Sequence, residues 1–416
     1  MIPSVVAEGI PGNQPAPRKK EFWPRELVLG LLPLLIGFEM LIWIAYLPLG
    51  LRGVAVFRTL FTSGYMLRTH DARDIHDPDK LGNLSDRLVP LGLTLNQPMD
   101  HPAYEALLFA PLSLLPYRTA LVAFIVLNLG VIAWCVRLLQ LSLRVLSERW
   151  IFFPALLFPA FFPVTYALTR GADSILLLAL LAGALAWIRT GRDLQAGVLV
   201  GLGVFKFQIV IPIALLFLLW KRWRFMLGFG ISSATAALIS LLLVGTQGAK
   251  QYASMLLGMS VNLRSEADAM RYSLSPKTML NLRGLLSALF DGRLPHWWVQ
   301  GLILASSLAV LLVVARCRPS LPLAIITAAL VSYHLNAPDA TVLLIPIGTC
   351  LCSDSVLAAL AAAAALMVPV IAINPFYGFI GAIPILGLFF VYVLRKGVIS
   401  VDEVASPLSP LSPLSC

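Results

Sequence analysis

The chain has 416 residues, of which 59% are hydrophobic and only 12% charged. Soluble domains carry about 25% charged residues, so this composition excludes an ordinary water-soluble enzyme and makes the bilayer the organising solvent. The net charge of +10 need not mean nucleic acid, because much of the excess lies in loops of cytoplasmic type, where the positive-inside rule puts it.

Residues 1–21 are polar and Pro-rich and end near Arg18-Lys19-Lys20. With no apolar stretch ahead of the first span, this segment does not read as a cleavable signal peptide. Lys19, Lys20 and Arg25 hold it inside. A first span over 27–49 leads to a long outer loop, about 51–103. There Phe57, Leu60, Phe61, Gly64 and Tyr65 have the spacing of a short amphipathic helix at the interface. The apolar segment that opens at His101-Pro102-Ala103-Tyr104-Glu105 and ends at Tyr117 is too short to span. It reads as a re-entrant or interfacial helix with Pro102 in its first turn.

The next span, 119–141, goes in, and Arg137, Arg144 and Arg149 mark the inner side. The segment 151–168 returns carrying Pro154, Pro159 and Pro163, which predicts a broken helix. Residues 174–188 go back in. The stretch 196–220 has basic residues beyond both ends, Arg192 on one side and Lys221-Arg222 on the other. It must therefore enter and leave as two short helices, with Lys206 at the turning point. A span over 225–244 leads to a second long outer loop, about 246–296, and 297–315 returns to Arg316 and Arg318. Spans over 321–335, 341–352, 356–373 and 377–394 complete a total of about 10 to 12. Residues 397–416 form a Ser/Pro/Leu tail, expected to be a disordered cytoplasmic end. The organisation expected is thus a polar N-terminus (1–26), a transmembrane domain (27–396) and the tail.

In this threading both long loops and the breaks Arg170-Gly171-Ala172-Asp173 and His334-Leu335-Asn336-Ala337-Pro338-Asp339 emerge on one face. A pore would distribute polar groups along a path through the membrane. Gathering them on one face suits an enzyme that works there on a lipid-bound substrate. Cys135, Cys317, Cys350, Cys352 and Cys416 fall in spans or on the inner side, so no disulfide framework is expected in the outer loops. Cys350-Leu351-Cys352 has no further ligand nearby and reads as two small apolar side chains rather than a metal pair. No zinc site, cofactor or nucleic-acid motif is read from the chain.

Several segments resemble a known family. Tyr104-Glu105-Ala106-Leu107-Leu108-Phe109-Ala110-Pro111-Leu112 is similar to the "Y-x-P-L/A-x-x-L-L-F-x-P-L" element of glycosyltransferase family 87, the polyprenyl-phosphate-sugar-dependent transferases. Gly171-Ala172-Asp173-Ser174 resembles its "G-Q-x-S/N" break. Ala196-Gly197-Val198-Leu199-Val200-Gly201-Leu202 followed by Lys206 resembles "A-G-x-x-x-G-L…K". Tyr333-His334-Leu335 through Asp339 resembles "Y-H-x-x-x-H-D-L". The resemblance implies an all-α polytopic protein of GT-C-like fold at a bacterial inner membrane; the basic residues of the threading put both termini in the cytoplasm. It would move a sugar, mannose for preference, from a polyprenyl phosphate to a lipid or glycan acceptor at the extracytoplasmic face. An Asp in the first outer loop would be the base. The chain departs from the pattern at three places: Val56 stands at the "D-F" Asp, Ala172 at the Gln and Pro338 at the second His. These departures leave open a degenerate member that binds the lipid carrier without transfer. A secondary transporter is a further alternative; it would need a repeat between halves, and none is evident.

The candidates for the chemistry are Asp100, Asp77, Asp173 and His334, and for substrate contact Arg58, His101, Tyr104, Glu105, Arg170, Lys206 and Asp339. Asp100 reads either as base or as a helix N-cap. Glu105 reads as a site residue or as a complement to the helix dipole. The crowded run Asp71, Asp74, Asp77 and Asp79 reads as hard oxygen ligands for a divalent metal or as a solvated charged turn, and Asp77, which resembles the acidic end of the family's "L-Y-D" element, is a candidate base. Asp173 reads as N-cap or as a cavity carboxylate, and Arg170 as a phosphate ligand or a snorkelling side chain. Lys206 is the costliest residue in the chain at membrane depth and calls for a phosphate or a carboxylate partner. Arg264, Arg271, Lys277 and Arg283, interleaved with Tyr272, Leu274 and Met279, read as a basic lid over an anionic headgroup or as plain interface.

Overall fold

The computed structural model describes residues 23–54, 56–69, 71–89, 98–140, 143, 146, 147, 151–261, 275–353, 355–374 and 377–394. Residues 1–22 of the polar N-terminus, the Ser/Pro/Leu tail, Cys416, Arg144, Arg149, Arg264, Arg271, Tyr272 and Leu274 lie outside the described residues. Among those described there is no β-strand, and the chain is an all-α polytopic membrane protein.

The helices are α1 (Trp23–Leu51), α2 (Phe57–Arg68), α3 (Pro78–Leu88), the short α4 (Ala106–Phe109) and α5 (Tyr117–Gln140). Next come α6 (Phe153–Leu156), α7 (Phe162–Arg170), α8 (Ser174–Arg189), α9 (Asp193–Leu202), α10 (Phe207–Leu219) and α11 (Trp223–Val261). The series ends with α12 (Leu282–Phe290), α13 (His296–Ala315), α14 (Leu321–Val331), α15 (Leu344–Cys352), α16 (Val356–Met367) and α17 (Ala382–Leu394). Among the described residues, five segments are long and apolar enough to cross a bilayer by themselves.

Contacts at the helix ends sort the bundle into two faces. The Tyr117 hydroxyl at the start of α5 donates to the Gly50 carbonyl near the end of α1, 3.1 Å away. A Cβ on Gly50 would meet the Thr169 carbonyl oxygen, which places the end of α7 beside them. That is the face of the site described below. On the opposite face Arg222 forms a two-pronged ion pair with Asp193, at 3.0 and 3.1 Å, and the Trp220 indole donates to the Val314 carbonyl. The Arg222–Asp193 pair decides how residues 193–219 run. Their length and hydropathy alone would allow one span, yet a straight helix of that length would hold its ends ~40 Å apart. The two ends instead meet, so α9 and α10 are the arms of a hairpin. A 3₁₀ turn, Gly203–Lys206, forms its tip.

The hairpin is held by close backbone approach. A Cβ on Gly197 would lie 2.0 Å from the Phe225 carbonyl oxygen, and one on Gly228 2.0 Å from that of Leu194. Small residues let membrane helices come this near, where dispersion rather than water supplies the attraction. The broken helix expected from Pro154, Pro159 and Pro163 is seen as the pair α6 and α7, with Pro154 and Pro163 each in a first turn. Gly171, at φ 59°, ends α7 in the left-handed conformation. A Cβ there would meet the Phe57 Cβ at 2.6 Å.

The first outer segment differs from expectation in its depth. Phe57, Leu60, Phe61 and Gly64 of α2 are buried, not spread on an interface. Phe57 stacks on Phe124 of α5 at 5.3 Å, inside a satellite core that also takes Ile75, Leu81 and Phe109. The segment after Pro102 is not one helix but two 3₁₀ turns flanking α4, with Pro102 at the cap position before the first.

Gly228→Leu places a branched side chain against the Leu194 backbone. Overpacking of this kind costs about 1–3 kcal/mol, so the purified variant should melt several degrees below the native chain in nanodiscs. An unchanged midpoint would count against the close approach of α9 and α11.

Candidate active site

One buried polar cluster sits where three helix breaks meet. The α9–α10 tip contributes Lys206, the α7–α8 break Asp173 and Ser174, and the link between α14 and α15 His334, Asn336 and Asp339. The approach to α4 adds Asp100, His101, Tyr104 and Glu105. Lys206 is 7% exposed, and its Nζ lies 3.0 Å from Asp173 Oδ1, 3.1 Å from Asp339 Oδ1 and 3.3 Å from His101 Nε2. The three N–H groups of the ammonium thus have three partners in the protein. Ser174 Oγ donates to the same Asp339 oxygen at 2.8 Å. His101 Nδ1 donates to Glu105 Oε2 at 2.6 Å and lies 3.2 Å from Asp173 Oδ2. Against an ammonium, His101 Nε2 is favourable as an acceptor, which leaves the ring proton on Nδ1 toward Glu105.

A cavity of about 100 Å³ opens beside the cluster. Its wall includes Asp100, His101, Ser174, Lys206, His334, Asn336 and Asp339, together with the apolar Val56, Leu60, Ala172 and Pro338. The volume suits the reacting ends of ligands rather than whole lipids. The four carboxylates differ in what they do there. Asp173 and Glu105 are fully buried, behind the wall. Asp339 is on the wall but holds Lys206 and Ser174. The Asp100 side chain is 30% exposed, with Oδ1 3.6 Å from His101 Nε2.

The alternatives raised by the sequence resolve as follows. Asp100 does not cap a helix, since Pro102 takes that position. Asp173 stands at the cap position of α8 without making the cap bond; its carboxylate faces Lys206 instead. Asp77 does cap: its Oδ1 accepts from the amides of Asp79 and Lys80 at the start of α3, and it is not on the cavity wall. In the same exposed turn Asp74 bonds Lys80 at 2.9 Å and holds its ammonium above the ordinary value. Arg58 is buried and pairs with Asp86, and Arg170 lies over the Tyr166 ring; neither reaches the cavity. Arg283 donates to the Tyr333 carbonyl and sits 4.0 Å over that ring, next to His334.

Tyr104 is a brace rather than a wall residue. Its hydroxyl donates to the Leu202 carbonyl at 2.7 Å and accepts from the Phe205 amide at 3.0 Å, on either side of the hairpin tip. Its amide donates to Ser240 Oγ of α11. Gln208 was not read from the sequence, though it lies two residues after the buried lysine. Its side-chain amide meets His334 Nε2 at 3.1 Å, which makes Nε2 an acceptor and leaves a proton on Nδ1. That Nδ1 is buried without a hydrogen-bond partner. Glu39, buried inside α1 beside Thr165, was missed as well and belongs to no motif. His101, Glu105 and Asp173 come close enough to offer one ligand atom each to a metal ion. Lys206 already stands against two of them, and its ammonium supplies the positive charge they need.

Fold and site define a polytopic membrane protein with a polar reaction chamber toward one face. Residues 101–346 match the family model described as glycosyltransferase family 87, and the chain belongs to that family. It is a membrane glycosyltransferase. The matched span takes in every cluster residue from His101 to Asp339 and stops short of Val56 and Asp100. Comparison with curated proteins and with solved structures found no match.

Lys206→Met removes the cation that Asp173 and Asp339 share. Breaking a buried pair costs about 3–5 kcal/mol, so a large drop in melting temperature is expected. Adding Asp173→Asn and Asp339→Asn to the same chain should recover part of it. No recovery in the triple variant would show that the ammonium is not balanced by these two groups.

Proposed function

We propose that the protein transfers a sugar, mannose in the first instance, from a polyprenyl phosphate to a lipid or glycan acceptor at the extracytoplasmic face of a bacterial inner membrane, within a GT-C-like fold. Asp100 is the base. The observation that carries this reading is the state of Asp100: of the carboxylates around the cavity, it is the wall residue not already bound to Lys206. In the reaction Asp100 takes the proton of the acceptor hydroxyl, and that oxygen attacks the anomeric carbon from the side opposite the phosphate. The bond from carbon to phosphate oxygen breaks, and its electron pair leaves with the phosphate. The configuration inverts. In this reading the wall residues His334 and Asn336 donate to phosphate oxygens. The basic residues of the far face, Arg222 and Arg316 among them, support a cytoplasmic location for both chain termini.

A second reading has its own observation. Val56, Ala172 and Pro338, the three places where the chain departs from the family pattern, all line this one cavity. Changes gathered at one wall suit a member that keeps the carrier-binding chamber and has lost transfer.

The test is transfer from polyprenyl-phosphate mannose in nanodiscs, comparing the native chain with Asp100→Asn and Val56→Asp. A positioned general base contributes about 10²–10⁴-fold, so Asp100→Asn should lower kcat by that factor. Full activity in Asp100→Asn would remove the base assignment. Turnover that appears only in Val56→Asp would establish the second reading.

A further inference from the structure

His76 and Tyr252 are distant in the chain, and neither lines the cavity. They meet beside it. Their ring centroids are 4.5 Å apart. His76 is 2% exposed and donates from Nδ1 to the Met99 carbonyl at 3.0 Å. Burial pushes this imidazole below its ordinary value, which leaves it neutral with its proton on Nδ1. The Tyr252 hydroxyl donates to the Asp100 carbonyl at 3.2 Å. The two bonds thus take successive carbonyls. The Met99 carbonyl fixes the peptide plane that precedes the Asp100 Cα, and the Asp100 carbonyl fixes the plane that follows it. With both planes held, the direction of the Asp100 Cβ is set as well.

Tyr252 reaches this place because α11 is not continuous. Gly245, at φ 66° and ψ −175°, interrupts it. Beyond the break the helix packs on the 3₁₀ turn Ala72–Asp74: a Cβ on Gly248 would lie 3.0 Å from the Arg73 carbonyl oxygen. His76 lies two residues after that turn. The redirected end of α11, the turn and the two rings form one packed unit around the Met99–Asp100 backbone.

We propose that His76 and Tyr252 are positioning residues for Asp100, clamping the two peptide planes around it so that its carboxylate enters the cavity at a fixed angle. The proposal rests on the reading of Asp100 as base. Because both bonds go to backbone, the clamp acts on direction and not on the chemistry of the carboxylate. It therefore acts on the chemical step and leaves substrate binding alone.

Tyr252→Phe keeps the ring against His76 and removes only the donor. Two measurements on the full chain in nanodiscs test the clamp. In transfer from polyprenyl-phosphate mannose, kcat should fall roughly tenfold with KM unchanged, as expected for a misaimed reacting group. In hydrogen exchange without any ligand, the amides of residues 99–101 should exchange faster in Tyr252→Phe while those of α5 stay as in the native chain. His76→Ala should reproduce both effects, and His76→Gln, which restores a donor toward Met99, should reverse them in part. Unchanged exchange at 99–101 overturns the proposal, whether or not the native chain uses this donor. If Asp100→Asn abolishes turnover while Tyr252→Phe turns over normally, the clamp alone fails. If Asp100→Asn retains turnover, the base reading fails and takes the positioning role with it.

Discussion

An ammonium kept from water by two carboxylates is the interaction on which the rest of this structure depends. A charge at membrane depth costs several kcal/mol unless it is partnered. Lys206 has its partners only because two other helical runs are also interrupted, at Arg170–Ser174 and at Ser332–Asp339. Irregular backbone is tolerated inside a bilayer only when protein surrounds it. Each break therefore needs the others: the lysine neutralises two buried carboxylates, and they fix the level at which three helical hairpins turn. The fold and the site are consequently one electrostatic unit and cannot be perturbed separately.

Within that unit identical side chains take different roles according to their neighbours. Asp173 and Asp339 hold the ammonium, and Glu105 orients His101. Asp100 keeps part of its surface on the cavity and meets His101 only at 3.6 Å. Burial and pairing, not residue type, separate a structural carboxylate from one available for proton transfer. The apolar stretches of wall at Val56, Ala172 and Pro338 narrow the choice further, because they leave the cavity few groups able to accept a proton.

The sequence carried the positions of the breaks and left out their pairing. Arg170–Asp173, Lys206 and His334–Asp339 stand out as polar interruptions of apolar runs, a signal that the cost of charge in lipid makes strong. The hairpin at 193–219 could be inferred because basic residues flank both of its ends. What was hidden depends on contacts distant in the chain. Asp77 and Asp100 share one outer segment and look alike in sequence; the fold makes the first a helix cap and brings the second to the cavity. The cap rule pointed to Asp100 wrongly, because the turn it was expected to start begins one residue after Pro102. Arg170 and Arg58, natural phosphate ligands by charge, are turned to Tyr166 and Asp86. Tyr104 was recognised through a motif, but its bracing of the hairpin tip could not be read from one.

The clasp between Asp193 and Arg222 has a consequence at a distance. It anchors both arms of the hairpin on the face opposite the chamber, so the chamber floor hangs from the other side of the membrane like a weight on two cords. Each residue of an α-helix adds 1.5 Å of length and about 100° of rotation. One residue inserted into α9 or α10 would move Lys206 by half the length of a hydrogen bond and swing it away from its carboxylates. The number of residues in these arms is therefore as strictly constrained as the identity of the lysine at their end, and a deletion far from the chamber would act as a lesion within it.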